Sequence, residues 1–273
     1  MAGGHERTWQ VVHRAGTAQE LHDAAASDPV DGRAVVVQHV AGPALVLGST
    51  QPASDVDTER AATQGIEVAR RRSGGGAVLL RPDDHVWVDL VVPSDDPLAE
   101  ADVERAAWWV GRAWAAALDL DEPGAGRVVV HRHGVSDRAA GRVACFAALG
   151  PGEVELDGRK VLGVSQRRTR SGARFQCIAY RTWEPELLLS LLATPDPDAL
   201  RGRAANSGDS DRSSVGIPQV PHLAAVRGQG GASGAGGGAG AASSRVGVAL
   251  RERAGAAVPF VWDVVERLLP VLP

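Results

Sequence analysis

Asp157-Gly158 separates two short runs rich in strand-forming residues, 153–156 and 160–166, and this dipeptide constrains the fold more than any other local feature. A two-residue type I′ turn needs positive φ at both central positions, which few residue pairs tolerate. The spacing predicts a tight hairpin with the chain pinned on both sides. Ser171-Gly172 marks a second turn, followed by a strand at 173–180.

Lys160 opens the second strand of that hairpin, and it is the only lysine in a chain with 28 arginines. Lysine is a compact, rotatable point charge, whereas arginine is a flat fork that needs planar partners and more room. A rigid strand also positions a side chain better than a loop does. On these residues alone two readings stand: an ammonium that the chemistry requires, or a lysine left at a strand edge by chance.

The N-terminal half alternates short strands and helices. Thr17-Ala18-Gln19-Glu20 is a capping-box pattern, in which threonine accepts from a backbone N–H while the glutamate reaches back, and it predicts a helix through Ala26. The runs 33–40 and 44–48 are rich in valine and leucine, are bounded by Gly and Pro, and read as two paired strands. A helix over 55–64, a strand at 66–71, and strands at 77–80 and 86–92 follow. In the last of these Val86, Val88, Leu90 and Val92 alternate with Trp87, Asp89 and Val91.

Residues 102–118 carry the clearest helical pattern, with Val103, Ala106, Ala107, Val110, Trp114, Ala117 and Leu118 forming one apolar stripe. Trp108, Trp109 and Trp114 read as core packing rather than a ligand box. From 186 the pattern is helical again, over 187–192 and 197–203. Residues 228–244 form a flexible Gly/Ala/Ser-rich linker by composition. Beyond it 245–269 reads as a helix broken at Pro259 that docks back on the body. The expected organisation is a single α+β domain, a mixed or antiparallel sheet flanked by helices.

A formal charge of −4 gives no reason to expect nucleic acid or an anionic membrane as the main partner. Residues 1–14 lack a secretory pattern, and no stretch reaches the roughly 20 apolar residues of a membrane span. Cys145 and Cys177 form neither a metal-type spacing nor a disulfide framework. The expectation is a soluble cytoplasmic protein with reduced thiols and no metal-ligating residues.

Arg70-Arg71-Arg72-Ser73-Gly74-Gly75-Gly76-Ala77 ends a strand and opens a glycine run. Three glycines let the backbone pass close to a ligand and aim N–H groups at an anion, with the arginines adding charge. No Lys-Ser/Thr follows them, so this is not a P-loop, and the G-x-G-x-x-G spacing of a dinucleotide site is absent. A plain glycine turn after a solvated strand end is the other reading.

The order of these pieces carries more than each alone. Arg-Arg-x-Ser-Gly-Gly-Gly-Ala-Val at 70–78, followed by Asp-Gly-Arg-Lys-x-x-Gly-x-Ser at 157–165, resembles the lipoate–protein ligase family, within the superfamily that also holds biotin–protein ligases and octanoyltransferases. Leu47-Gly48-Ser49-Thr50-Gln51 is similar to the strand and turn that precede the first motif there. The resemblance covers roughly residues 8 to 200 and implies a catalytic domain of biotin/lipoate ligase type over 1–227.

By that resemblance Arg70, Arg71, Ser73, Gly74, Gly75, Gly76 and Ala77 would line the acyl and adenylate pocket, with Gly163 and Ser165 beside the ligand. Lys160 would contact the acyl carbonyl and the adenylate phosphate, where a compact cation stabilises developing charge. The first implied activity is a lipoate (or octanoate) ligase that uses ATP and Mg²⁺. It would acylate a lysine of a lipoyl acceptor domain, such as a 2-oxoacid dehydrogenase E2 or a glycine cleavage H protein.

Cys145-Phe146, fifteen residues before Lys160, resembles instead the cysteine-dependent octanoyltransferases. These take the acyl group from acyl carrier protein as a thioester and need no ATP; Gln166 after Ser165 looks similar to them too. The family pattern is departed from after Ala77-Val78, where 79–85 stand in place of His-Asp, and after Gln176, where Cys177-Ile178 stand in place of His-Gly. These changes motivate a third reading, a relative that binds the acyl ligand without catalysis.

Overall fold

The hairpin forms as its turn residues require. The computed structural model describes residues 8–28, 31–82, 84–118, 120, 127–181, 185–193 and 258–273. In it Asp157 and Gly158 take φ of 48° and 79°, positive at both turn positions. They join β8 (Val154–Leu156) to β9 (Arg159–Arg168), and β10 (Gly172–Tyr180) returns antiparallel to β9.

The chain before the hairpin supplies β1 (Gln10–Gly16), α1 (Ala18–Ser27), β2 (Ala34–Val40), β3 (Ala44–Leu47), α2 (Thr58–Thr63), β4 (Glu67–Arg70), β5 (Val78–Leu80) and β6 (His85–Pro93). Then come α3 (Val103–Ala106), α4 (Trp108–Ala117), β7 (Val128–Val130) and α5 (Arg138–Val143). After the hairpin come α6 (Pro185–Leu191) and α7 (Val258–Val271). Among the described residues the strands form a seven-stranded sheet, β1-β2-β6-β10-β9-β8-β7, and a three-stranded sheet, β4-β3-β5. Both are mixed: β1–β2 and β3–β4 run parallel, and the other pairs antiparallel. This is the expected α+β class.

Local chemistry explains the boundaries. Thr17 caps α1 with the full reciprocal box, its hydroxyl accepting from Glu20 N and Glu20 accepting from Thr17 N. β6 is buried at every position from His85 to Val92 because it is central and covered on both faces. On one face Val86, Val88, Leu90 and Phe175 pack against Trp109, Val110 and Trp114 of α4 and Val264, Val265 and Leu268 of α7. On the other face Trp87 and Tyr180 meet Ala44, Val46, Val78 and Leu80 of the small sheet and Leu21 of α1.

Several expectations need correction. The runs 33–40 and 44–48 are both strands but do not pair: β2 has β1 on one edge and β6 on the other, so β3 pairs with β4 and β5. The helix expected over 55–64 starts later. Val56 bridges Leu192 in an extended conformation, and the Asp57 side chain then caps α2 by accepting from Arg60 N at 2.9 Å.

The pattern at 102–118 splits at Ala107 into α3 and α4, and Val103, counted in the apolar stripe, is 58% exposed on the first turn. Strands β1 and β7 and helix α5 were not foreseen. β1 mixes polar and apolar residues, while β7 is only three residues long. The C-terminal helix is described from Val258 to Val271, with Pro259 as its second described residue. The helix expected at 197–203, the linker at 228–244 and residues 245–257 lie outside the described residues. Among the described residues no helix is long and apolar enough to cross a membrane.

Candidate active site

The two sheets and α1 enclose a pocket. The large sheet contributes Trp87 from β6, Gly163, Val164 and Ser165 from β9, and Gln176 and Ile178 from β10. Val46, Val78 and Leu80 come from the small sheet, His22 from α1, and Arg71, Cys145 and Phe146 from connecting segments.

Cys145 is delivered to this wall by backbone pairing with the glycine-run segment. Cys145 N donates to Ala77 O at 3.0 Å and Ala77 N donates to Val143 O at 2.9 Å, a parallel bridge that binds the two sequence motifs together. The thiol is half-buried. Lys160 stands behind it with its side chain 4% exposed. Its Nζ donates to Glu153 Oε2 at 2.5 Å, Cys145 O at 2.9 Å and Ala148 O at 3.0 Å. It also lies 3.9 Å from Cys145 Sγ and 4.9 Å from the centre of the Phe146 ring. An ammonium has three N–H donors, and three oxygen acceptors are in place for them.

Glu153 fixes this arrangement. Its Oε2 also accepts from Gly150 N at 2.7 Å, and its Oε1 accepts from Val164 N at 3.0 Å. The carboxylate therefore joins the loop before β8, the lysine and the pocket strand β9. Sequence reading passed over it, because the carboxylate reaches Lys160 from just before β8 and through an irregular register at Val154/Glu155.

The glycine run has a split role. Arg71 is buried and its guanidinium donates to Val46 O at 3.2 Å, Gly74 O at 2.7 Å and Gly76 O at 2.8 Å. Burial pulls its pKa below the ordinary value. Gly75 takes φ of 94°, and a Cβ on Gly76 would lie 2.5 Å from Ala144 N. A Cβ on Gly48 would lie 1.9 Å from Gly75 O, so the 47–51 stretch and the glycine run touch backbone to backbone. Ser73 Oγ donates to Ser165 Oγ at 3.1 Å.

Of the residues singled out from sequence, Arg71, Cys145, Gly163 and Ser165 line one pocket, with Lys160 directly behind it. Ser73 joins through Ser165, whereas Gly74, Gly75, Gly76 and Ala77 do not line the pocket: the carbonyls of Gly74 and Gly76 hold Arg71, and Ala77 pairs with the segment that carries Cys145. Arg70 turns the other way, its Nη1 donating to Gly48 O at 2.7 Å and Gln51 O at 2.6 Å. Among the described residues no three His, Cys, Asp or Glu side chains form a metal site. Cys177 is buried, and burial pushes its thiol well above the ordinary range.

His22 and His85 give the fold a pH dependence. Burial pulls His22 from 6.5 to about 3, the Arg71 charge adding to it, and pulls His85 to about 4. Burial lowers His13 and His39 as well. Below about pH 6.5 the unfolded chain binds protons that the folded chain refuses. Stability should be full above that pH and fall on acidification, by about 1.4 kcal/mol per pH unit for each of the two buried histidines. Urea melts between about pH 7 and 5 check this; unchanged stability across that window would contradict the burial of these rings as neutral groups.

The model of the lipoyl protein ligase A/B catalytic domain matches residues 17–215. The chain belongs to that family. Octanoyltransferase LipM of Moorella thermoacetica is 32% identical over 133 residues, covering 46% of this chain and 45% of that protein. LipM of Clostridioides difficile is 26% identical over 161 residues, covering 59% and 58%. The chain thus spans about half the length of these curated relatives.

Lipoate-protein ligase A with bound ATP superposes with a TM-score of 0.56 at 18% identity, over 74% of this chain and 76% of that one. The bipartite lipoate protein ligase of Thermoplasma acidophilum gives 0.51 at 15% identity, over 72% and 73%. At these identities the likeness carries the fold. Within the lipoyl protein ligase A/B fold, the inter-sheet pocket with Cys145 on its wall is the candidate site.

Proposed function

We propose that this chain transfers a medium-length acyl group of the octanoyl type through a thioester on Cys145. The observation that carries the reading is the placement of Cys145 Sγ on the pocket wall, 3.9 Å from the Lys160 ammonium. The sulfur attacks the carbonyl of an acyl thioester presented by acyl carrier protein. The new Cys145 thioester forms as the bond to the carrier's sulfur breaks, and the proton lost from Cys145 ends on the carrier thiol. The amine of an acceptor lysine on a lipoyl domain then attacks the Cys145 thioester, forming the amide and returning the thiol. Lys160 supplies positive charge beside the sulfur, acting through the field of an ammonium whose donors are already bonded, and Glu153 holds it there. Similarity to the two LipM octanoyltransferases supports the same reading.

The intact Ser73–Ala77 loop keeps a second reading open, a ligase that uses ATP and Mg²⁺ to make an acyl-adenylate. A phosphate bonded to Lys160 would have to displace Glu153 or a carbonyl, whereas the transferase asks of Lys160 only a positive charge beside the Cys145 sulfur, which the present contacts already place.

Intact-mass analysis tests the choice. With octanoyl acyl carrier protein and no ATP, wild type should gain an acyl adduct that Cys145→Ser does not, and a lipoyl acceptor domain should then be modified. Acceptor modification that needs octanoate, ATP and Mg²⁺ and survives Cys145→Ser would replace the transferase with the ligase. No modification under either condition would leave an acyl-binding relative without catalysis.

A further inference from the structure

Charge is distributed unevenly along this chain. Residues 127–181, which carry Cys145 and Lys160, hold eleven Lys/Arg against four Asp/Glu, a net +7 in a chain whose total is −4. Residues 1–126 hold ten against twenty. Like charges gathered on one part of a fold repel one another, so such a concentration points to a partner of opposite sign. Little of it is neutralised internally. Lys160 pairs with Glu153, and Arg174 with Asp28 and Asp89. The other nine, all arginines, form no ion pair with a described carboxylate, and seven of them are exposed.

Three of the nine fall in 131–142, where Asp137 is the only acidic residue. Asp137 is engaged as the cap of α5, its Oδ1 accepting from Ala139 N and Ala140 N at 3.0 Å. Arg138 and Arg142 stand four apart on one side of α5, both exposed, while Ala140 is buried. A like-charge pair at that spacing is unfavourable on a helix by itself, and an anion laid across it reverses the sign. Arg132 lies over the Trp108 ring, 5.3 Å from its centre, and Val135 is 45% exposed.

This basic stretch packs directly on the turn that carries Cys145. Ser136 N donates to Leu149 O and Leu149 N donates to Ser136 Oγ, each at 2.9 Å. A Cβ on Gly141 would lie 2.9 Å from Ala148 Cβ. The carbonyls of Ala148 and Cys145 are the ones that hold Lys160. Arg142 precedes Cys145 by three residues, so their Cα atoms lie within about 10 Å. A partner seated on 131–142 has its edge at the nucleophile.

We infer that residues 131–142 form the docking surface for the protein that presents the acyl thioester, and that this partner is acidic around its thioester arm. The inference deepens the transferase reading and rests on it. The donor fits this surface better than the acceptor does. A carrier's thioester arm hangs from a phosphate, which the arginines attract, whereas the acceptor's free lysine is a cation at neutral pH, which they repel. Charges at the rim of such a contact act chiefly on the rate of encounter.

Single-turnover loading of Cys145, read by intact mass, tests this with two donors: octanoyl acyl carrier protein and the small uncharged thioester octanoyl-N-acetylcysteamine. With Arg138→Glu and Arg142→Glu together, loading from the carrier protein should slow at least about tenfold at low salt. Loading from the small thioester should keep its wild-type rate. The gap should close as salt rises toward about 0.5 M, and Arg138→Lys with Arg142→Lys should restore most of the carrier rate. Equal slowing with both donors would show a disturbed site rather than a lost docking surface, and an unchanged carrier rate would show no docking on α5. Intact loading with slowed transfer to the lipoyl domain would give the surface to the acceptor instead; each of these results overturns the inference. Calorimetric binding of the thiol form of acyl carrier protein separates it from the transferase reading. If neither donor loads Cys145, salt-sensitive binding that the double glutamate variant loses keeps the docking surface while the transferase falls, and absent binding removes both.

Discussion

Glu153→Gln should destabilise the protein by about 3–5 kcal/mol, although the change is nearly isosteric. All three groups bonded to this carboxylate are donors: Lys160 Nζ, Gly150 N and Val164 N. An amide offers one oxygen to these three and turns a second donor toward them. It also leaves the Lys160 ammonium, 4% exposed, without a counter-charge. A buried pair is weak evidence of net stabilisation, but removing one partner exposes the full cost of burying the other. Adding Lys160→Met to Glu153→Gln should therefore recover part of the loss, giving a clear coupling energy in a double-mutant cycle of urea melts. Independent effects of the two substitutions, or a single-mutant loss below about 1 kcal/mol, would show that the pair does not hold this corner together.

Turn chemistry and the order of motifs were legible in the sequence because they depend on residues close to one another. The Thr17 capping box, the Asp157-Gly158 turn and the strand after Ser171-Gly172 formed where they were expected. Pairing across the fold was not legible. Nothing local in 44–48 tells that β2 already has both neighbours, so the sheet assignment of β3 was missed. The same limit applies to the site. Lys160 and Cys145 stand out by type and spacing, but Glu153 reaches the lysine through an irregular strand register and His22 comes from a helix about 140 residues upstream. His22 was passed over because a histidine on an apolar helix face carries no distinctive pattern; only its packing on Trp87 and its place in the pocket wall mark it.

Lys160→Arg keeps the charge and should still lose acyl loading of Cys145 by about 10²-fold, the scale of misplacing a group at the reacting centre by about 1 Å. The ammonium serves acceptors that converge on one atom: Glu153 Oε2, Cys145 O and Ala148 O, with Cys145 Sγ at 3.9 Å. A guanidinium is planar and spreads its donors over three nitrogens, so it cannot meet this convergent set from the same place. It is also bulkier, and the space is closed by the Phe146 ring at 4.9 Å from Nζ and by β9 at Gly163. The arginine would push Phe146 and the Cys145–Ala147 turn toward the pocket or turn out of the site, and either movement separates the charge from the sulfur. Single-turnover loading from octanoyl acyl carrier protein, read by intact mass, measures the loss. Circular dichroism and urea melts on the same sample establish that the variant is folded. Loading at the wild-type rate in a folded Lys160→Arg protein would mean that charge alone suffices, and would return the single lysine among 28 arginines to chance.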